Sequence, residues 1–201
     1  KITIVDRKEI HNYQPGYTLV ASGVWPVDKV SDRNADLIPV GVEWVKEMVA
    51  EFDPEANAIV TDAGRRIEYD YLIVAPGIRY NYEAWFGNDR KAADYTKAMF
   101  PAAYIPSAEH FKLKQGIQNF KGGDLVMTLP PPPHRCPPSP YERACLIAGL
   151  FKQRKIKGKV IILDPKPAPA PITVGFQDAF REIYQDQIVY VPKAAIQEVD
   201  P

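Results

Sequence analysis

The sequence predicts an α/β protein built from two α/β units with an antiparallel, hairpin-rich insertion, and three observations carry that prediction. The chain opens on an alternating β-branched run, KITIVD. Residues 41 to 75 alternate in short strand-like segments around the turn AGRR, and from 107 onward helix-like and strand-like runs succeed one another. Such alternation implies a parallel sheet with helices packed over its faces.

In the first region, 1 to 106, KITIVD is followed by a long polar and aromatic connection, HNYQPGYTLVASGVWP. GVEWVKEMVAEFD and NAIVTD then read as hairpin-like antiparallel strands. YLIVA, a short and continuously apolar run, is expected to be a buried central strand. Residues 81 to 106 have weak periodicity and six aromatics, so a packed crossover is expected there. In the second region, 107 to 201, SAEHFKLKQGIQNF is a helix with Ser107 as its N-cap, and GDLVMT is a strand. YERACLIAGLFKQRK is a helix and KVIILD a strand, which completes a βαβ unit. The proline-rich KPAPAPI loop, a helix in GFQDAFREIYQ and the strand QIVYV follow.

Composition narrows the classes of function. A chain of 201 residues with 46% hydrophobic content and three Trp can bury a substantial core. Lys+Arg and Asp+Glu are equal at 25 each, so no excess positive charge is available for phosphate backbones, and nucleic acid is not an expected partner. The longest apolar runs, YLIVA, VIIL and CLIAGLF, fall far short of the roughly 20 residues of a membrane span. The opening has no initiating Met, charged n-region or h-region, so no signal peptide is read, and the chain is expected to be cut from a longer one. Cys136 and Cys145 are nine residues apart, one before a helix and one inside it, a poor geometry for a bridge.

Between GDLVMT and its helix a nucleotide-binding unit would carry a glycine-rich turn. This chain instead has LPPPPHRCPPSP, and with Pro140 the stretch holds seven prolines. Proline removes N–H donors and no glycine permits close approach, so a pyrophosphate would meet ring carbons and a nicotinamide dinucleotide is not expected. The loop instead holds Cys136 near the positive end of a helix and beside Arg135, surroundings that suit a redox nucleophile. An inert buried thiol is the alternative, and it is the preferred reading of Cys145 on the apolar face of RACLIAGL.

Asp6, ending KITIVD, either caps a strand end or accepts hydrogen bonds from an adenosine ribose, as the acid ending the second strand of a dinucleotide fold does. The G-x-G-x-x-G loop that would lie about 20 residues upstream is not in the sequence. His134 reads as a solvated loop residue able to tune Cys136. His11 and His110 have no metal-ligand spacing with a partner, so no metal is expected.

HNYQPGYTLVASG, GVEWVKEMVAEFDPEAN, YDYLIVAPGIRYNYE and CPPSPYERA together resemble the sulfide:quinone oxidoreductase and flavocytochrome c sulfide dehydrogenase flavoprotein family. The resemblance covers nearly the whole chain. YQPGYTLVASG with GVEWVKE is similar to the mitochondrial-like type of sulfide:quinone oxidoreductase, and PPHRCPPSPYERA is closer to the flavocytochrome c flavoprotein. What it implies is two Rossmann-like units of the FAD/NAD(P)-binding type, both incomplete. Residues 1–106 would be a partial FAD-binding domain without its first strand and glycine loop, and 107–201 a second domain carrying the redox cysteine loop. The chain would then be a middle fragment, with the second redox cysteine and the quinone-facing region outside it.

By the same resemblance, FAD in the intact protein would meet Asp6 at the adenosine ribose, the backbone at Val49 beside the adenine, and the turn Ala75, Pro76, Gly77 near the diphosphate. Tyr13, Gln14 and Pro15 would come near the flavin ring. Pro76 replaces the family's usual Thr and removes an N–H and a hydroxyl. The family's covalent flavin attachment uses a cysteine in this stretch, and none stands between 11 and 25, so FAD is expected to be noncovalent. Glu142 matches the family's glutamate six residues past the redox cysteine, where it handles protons; a helix-start glutamate can equally be there for the helix dipole.

Sulfide is the implied donor and quinone or cytochrome c the acceptor, with peripheral membrane association or a periplasmic place, and a homo-oligomer is possible for the intact protein. Two rivals stand beside this reading. One is an NAD(P)H-dependent flavoprotein of the type II NADH dehydrogenase kind. The other is that the isolated chain is an inactive interaction domain.

Overall fold

The computed structural model describes residues 1–87, 89–102, 104 and 108–196. In chain order they form strands β1 (Ile2–Val5), β2 (Ile10–Asn12), β3 (Ser31–Arg33), β4 (Val42–Val45), β5 (Val49–Asp53), β6 (Ala58–Thr61), β7 (Arg66–Glu68), β8 (Gly123–Thr128), β9 (Gly158–Asp164) and β10 (Ile188–Pro192). The helices are α1 (Tyr17–Ala21), α2 (Asn34–Leu37), α3 (Arg90–Met99), α4 (Ala108–Asn119), α5 (Ser139–Arg154) and α6 (Thr173–Asp178). The chain is mixed α/β with parallel pairing, as its sequence predicts.

Two compact units result, one of Lys1–Tyr13 with Val30–Arg79 and one of Gln14–Lys29 with Tyr80–Pro201. By packing, the chain passes between the units at 13/14, 29/30 and 79/80. Residues 14–29 join the second unit because α1 packs on α4 and α5, burying Tyr17, Val20 and Ala21 there.

In the first unit β1 pairs in parallel with β4, β2 pairs antiparallel with β3, and β5, β6 and β7 form an antiparallel meander. The antiparallel hairpin expected of GVEWVKEMVAEFD and NAIVTD forms as β5 on β6, while the first half of that run, β4, pairs with β1 instead. Asp62 supplies the physical reason: its N–H donates to the Met48 carbonyl at 2.8 Å and its Oδ1 accepts from the Met48 N–H at 3.0 Å. Those bonds swing β5 onto β6 and leave β4 to β1. An ion pair with Arg7 also holds Asp62, and the Met48 N–H followed by the Arg7 charge keeps its carboxyl below the usual range. The AGRR turn joins β6 to β7 through Gly64 at φ +79°, a conformation that favours glycine.

YLIVA is not a strand. Residues 71–75 lie outside every strand and are exposed, with Tyr71 at 93% and Ile73 at 92%. A central strand needs hydrogen-bonded neighbours, and the sheet of β1 and β4 has only two strands among the described residues. The apolar run therefore has no ladder to join.

The second unit holds a parallel sheet in the order β10-β9-β8, with α5 as the crossover from β8 to β9. Tyr141, Ala144, Ile147, Ala148 and Phe151 recur at helical spacing on α5 and are buried against Val160 and Ile162 of β9, Ile117 of α4 and Ile188 of β10. Phe120 stacks on Phe151 with ring centroids 4.8 Å apart and planes within 8°. Gly158 opens β9 where a Cβ would stand 2.8 Å from the Gly123 carbonyl oxygen, so only glycine allows β8 and β9 to start side by side.

The region read as a crossover, 81 to 106, contains the ten-residue helix α3. The Asp89 side chain caps it, accepting from the N–H groups of Lys91 at 2.9 Å and Ala92 at 3.2 Å. Its buried residues are Ala92, Ala93 and Thr96, small side chains that give little hydrophobic periodicity. Helix α4 forms as expected, while its expected cap, Ser107, lies outside the described residues. The helix expected in GFQDAFREIYQ appears as α6 running into a wider π turn at Ala179–Ile183.

His110 of α4 is buried, its Nε2 is 3.5 Å from the Tyr17 carbonyl oxygen, and its ring lies 5.2 Å from the Tyr17 ring. Burial pushes its pKa down, and the charges of Arg143 and Lys114 add to that against the Tyr17 carbonyl. The unfolded chain therefore takes up a proton that the folded ring resists. Its contribution to stability is full above pH about 6.5 and is lost as pH falls below that value. His110→Gln should flatten the stability profile between about pH 5 and 7 in urea titrations. Phe151→Ala should cost about 3–5 kcal/mol in the same measurement.

Candidate functional site

The loop leaving β8 begins with a ladder bond, Leu129 N–H to the Leu163 carbonyl at 3.0 Å, and runs to the start of α5. The helix starts at Ser139, two residues before the run read as helical. Pro140 sits in its first turn, where a missing N–H removes no intrahelical bond. The remaining first-turn donors bond within the loop: Ser139 N–H to the Cys136 carbonyl at 3.0 Å, and Tyr141 N–H to the Pro138 carbonyl at 3.0 Å. The helix start that would face a phosphate in a dinucleotide fold is thus closed upon its own turn.

Cys136 occupies this turn at φ +51°, the left-handed region, and its side chain is exposed. A non-glycine residue held there costs on the order of 1–3 kcal/mol and persists where its surroundings fix it. The fixing groups are close by. Ser139, whose N–H caps the turn, is buried with its Oγ 3.0 Å from Thr18 Oγ1 of α1.

Glu142 is exposed on the first turn of α5, and both it and Cys136 act electrostatically on Arg143. Arg143 is buried, with its guanidinium carbon 5.4 Å from the Tyr104 ring centroid. Burial lowers the pKa of Arg143, while Tyr104, Tyr80, Cys136 and Glu142 oppose that shift. Cys145 is half-buried on α5, and burial followed by Glu142 pushes its thiol up to about 11. It packs against the core of the second unit, whereas Cys136 is exposed. His134 stands half-buried in the loop, and burial lowers its pKa.

In the first unit Asp6 ends the β1–β4 ladder. Its N–H donates to the Val45 carbonyl at 3.1 Å, its carbonyl accepts from Trp44 Nε1 at 2.7 Å, and its Oδ1 accepts from the Lys8 N–H at 2.9 Å. The carboxylate both closes the turn after β1 and stands, half-exposed, at the carboxyl end of a parallel pair, where α/β folds place ligands. Val49 starts β5 opposite Thr61, next to a register shift. Ala75, Pro76 and Gly77 are exposed, with Gly77 left-handed at φ +83° and open space where a Cβ would lie. Tyr13 is exposed, its N–H donating to the Val30 carbonyl at 2.8 Å; the exposed Gln14 and Pro15 begin the second unit. The structure thus brings Cys136 and Glu142 to one helix start, and places Asp6, Val49 and Ala75 to Gly77 in the other unit.

The sequence reading missed a buried cluster at the carboxyl end of the second sheet. Asp164 ends β9, fully buried, and its Oδ2 accepts from Tyr141 Oη at 2.5 Å and from Tyr190 Oη at 3.0 Å. Its Oδ1 accepts from the Lys166 N–H at 2.9 Å and pairs with the Lys166 ammonium at 3.1 Å. Burial alone would raise the Asp164 pKa, but the bonds from Tyr141, Lys166 and Tyr190 outweigh it and hold the carboxyl below its usual range. The signal was present in KVIILD, which ends in an acid as KITIVD does. Among the described residues no group of three or more His, Cys, Asp or Glu could hold a metal ion, and no helix is long and apolar enough to cross a membrane.

Residues 111–201 match the model of the central part of the sulfide dehydrogenase (flavocytochrome c) flavoprotein chain. The mitochondrial sulfide:quinone oxidoreductase of Mus musculus is 32% identical over 94% of this chain and 42% of its own length. The sulfide-quinone reductase of Aquifex aeolicus is 26% identical over 100% of this chain and 46% of its own. The crystal structure of the Aquifex aeolicus sulfide:quinone oxidoreductase superposes on all of this chain and 47% of that one, with TM-score 0.76 and 20% identity. NDH2 of Plasmodium falciparum shares the fold at TM-score 0.65 and 11% identity. The chain spans less than half the length of each of these relatives.

The left-handed turn at Cys136 makes a direct prediction. Cys136→Gly should be as stable as Cys136→Ala or more stable, by up to about 1 kcal/mol in urea denaturation, because glycine adopts this φ without strain.

Proposed function

Because the chain belongs to the sulfide:quinone oxidoreductase and flavocytochrome c sulfide dehydrogenase flavoprotein family, we propose that it forms part of an FAD-dependent, sulfide-oxidising oxidoreductase in which Cys136 is the redox thiol. One observation carries the assignment: an exposed thiol is held in a strained turn at a helix start whose donors are turned inward. That arrangement suits sulfur chemistry and leaves little for a pyrophosphate to bind.

In this reading hydrosulfide attacks the sulfur bonded directly to Cys136 Sγ in a disulfide or polysulfide. A new S–S bond forms, the bond to Cys136 breaks, and Cys136 Sγ leaves with the electron pair as thiolate. Glu142, exposed on the next turn, takes the proton from the incoming sulfur at its carboxylate. FAD, when bound, supplies the two-electron acceptor. The residues of the first unit fit such a cofactor in part. Asp6 offers a half-exposed carboxylate to the adenosine ribose and Gly77 leaves its backbone open to the diphosphate, whereas Pro76 has no N–H to give. Val49, Ala75, Tyr13, Gln14 and Pro15 complete the proposed set. Quinone is the proposed acceptor, since no cysteine between 11 and 25 can attach the flavin covalently. A place on a membrane face follows from that acceptor.

The reading is tested by anaerobic titration of the flavin in the whole protein, with absorbance recorded. Sulfide should bleach the flavin, Cys136→Ser should lose at least about 100-fold in that rate, and NADH should have no effect. Reduction by NADH would instead favour an NAD(P)H-dependent reductase, and reduction by sulfide independent of Cys136 would sink the thiol mechanism. Glu142→Gln should lower the rate by about 10²-fold, the loss diminishing as pH rises and solvent base takes the proton from the newly bonded sulfur in its place.

A further inference from the structure

We propose that Tyr141 and Asp164 are positioning residues for the Cys136 turn: the hydrogen bond between them fixes the first turn of α5 to the end of β9. The inference rests on the reading of Cys136 as the redox thiol for its functional meaning, though not for its physical content.

Four observations support it. First, the bond is fully enclosed. Tyr141 and Asp164 are both buried, and Tyr141 Oη to Asp164 Oδ2 is 2.5 Å. Second, Asp164 is locked on its own side: the Lys166 N–H and ammonium hold Oδ1, and the Ala194 N–H donates to the Asp164 carbonyl at 2.8 Å. Third, Tyr141 lies five residues past Cys136, and its backbone belongs to the turn that contains the thiol. Its N–H donates to the Pro138 carbonyl, one residue before Ser139, whose own N–H holds the Cys136 carbonyl. Fourth, Cys136 sits at φ +51°, a conformation that relaxes unless the chain on both sides is tied. Leu129, bonded to the Leu163 carbonyl, ties the entry to the loop, and Tyr141 ties the exit.

Strand periodicity explains why an acid is available at that place. Val160, Ile162 and Asp164 alternate on one face of β9 and all three are buried, so the strand carries Asp164 under the start of α5. A dinucleotide fold uses the acid ending its second strand for the ribose of its ligand. Here the same place in the strand is committed to internal donors, and its role becomes one of holding the loop.

The structure also supplies an internal control. Tyr190 donates to the same Oδ2 at 3.0 Å, but it belongs to β10 and lies far from the loop in sequence. Tyr190→Phe removes a donor from Asp164 without releasing α5, whereas Tyr141→Phe releases α5 and preserves the ring packed near Phe176 and Phe180. Amide hydrogen exchange of the Ser139 N–H, followed by NMR in the chain itself, reads the turn directly. Tyr141→Phe should speed that exchange by about tenfold or more, and Tyr190→Phe by less than about twofold. In the whole protein Tyr141→Phe should lower kcat for sulfide-dependent flavin reduction by about tenfold with little change in KM. Should Tyr141→Phe fail to fold, Asp164→Asn takes its place with the same thresholds. Equal exchange at Ser139 in both tyrosine variants would overturn the inference. Activity that survives Cys136→Ser would overturn the sulfide reading alone, leaving the exchange measurement to decide the positioning role.

Discussion

A buried carboxylate at the end of a parallel strand organises the second unit. Asp164 is taken out of water completely, which is tolerable only because two phenols, a backbone N–H and an ammonium meet its oxygens. Those donors come from three places, α5, β10 and the turn after β9, so satisfying one side chain draws the crossover helix and the neighbouring strand together. Aromatic rings follow the same convergence. Tyr141 packs on Phe176, Phe180 and Tyr190, and the Lys166 ammonium lies 5.6 Å from the Tyr141 ring centroid. The hydrophobic stripe of α5 then continues from this anchor toward Phe151 at the other end of the helix.

Much of this unit was legible in the sequence, because its elements satisfy their own periodicities. GDLVMT, KVIILD and QIVYV have the alternation of strands, and YERACLIAGLF has the spacing of a helix buried on one side. The proline loop could be placed for the same reason, since both its flanks were secure. What failed were inferences that need a partner distant in sequence. YLIVA has a strand's composition and no neighbouring strand to pair with, and composition does not reveal which ladder a run will join. The second half of VEWVKEMVAEF does pair antiparallel with β6, as read, but that its first half would pair with β1 depends on a strand at the other end of the unit's sequence.

The candidate site shows the same division. Cys136 and Glu142 were singled out because they bracket a conspicuous local feature, the proline loop and the helix start that follows it. Arg143 and His110 were not singled out as parts of the site, since their significance lies in being buried against Tyr104 and Tyr17. Asp164 was passed over although the rule applied to Asp6 reaches it: both end a β-branched strand. The two acids have diverged in circumstance. Asp6 remains half-exposed at its strand end, while Asp164 is enclosed by its own neighbours.

The proline content of the loop has a thermodynamic side as well. A segment with Pro at 130 to 133, 137, 138 and 140 is already narrow in the unfolded chain, where each ring fixes φ and restricts the residue before it. Folding therefore removes less backbone freedom from this stretch than from an ordinary loop of the same length. The entropy withheld from the unfolded ensemble helps to offset the left-handed strain at Cys136, so the prolines that crowd the turn also help to keep its unusual geometry.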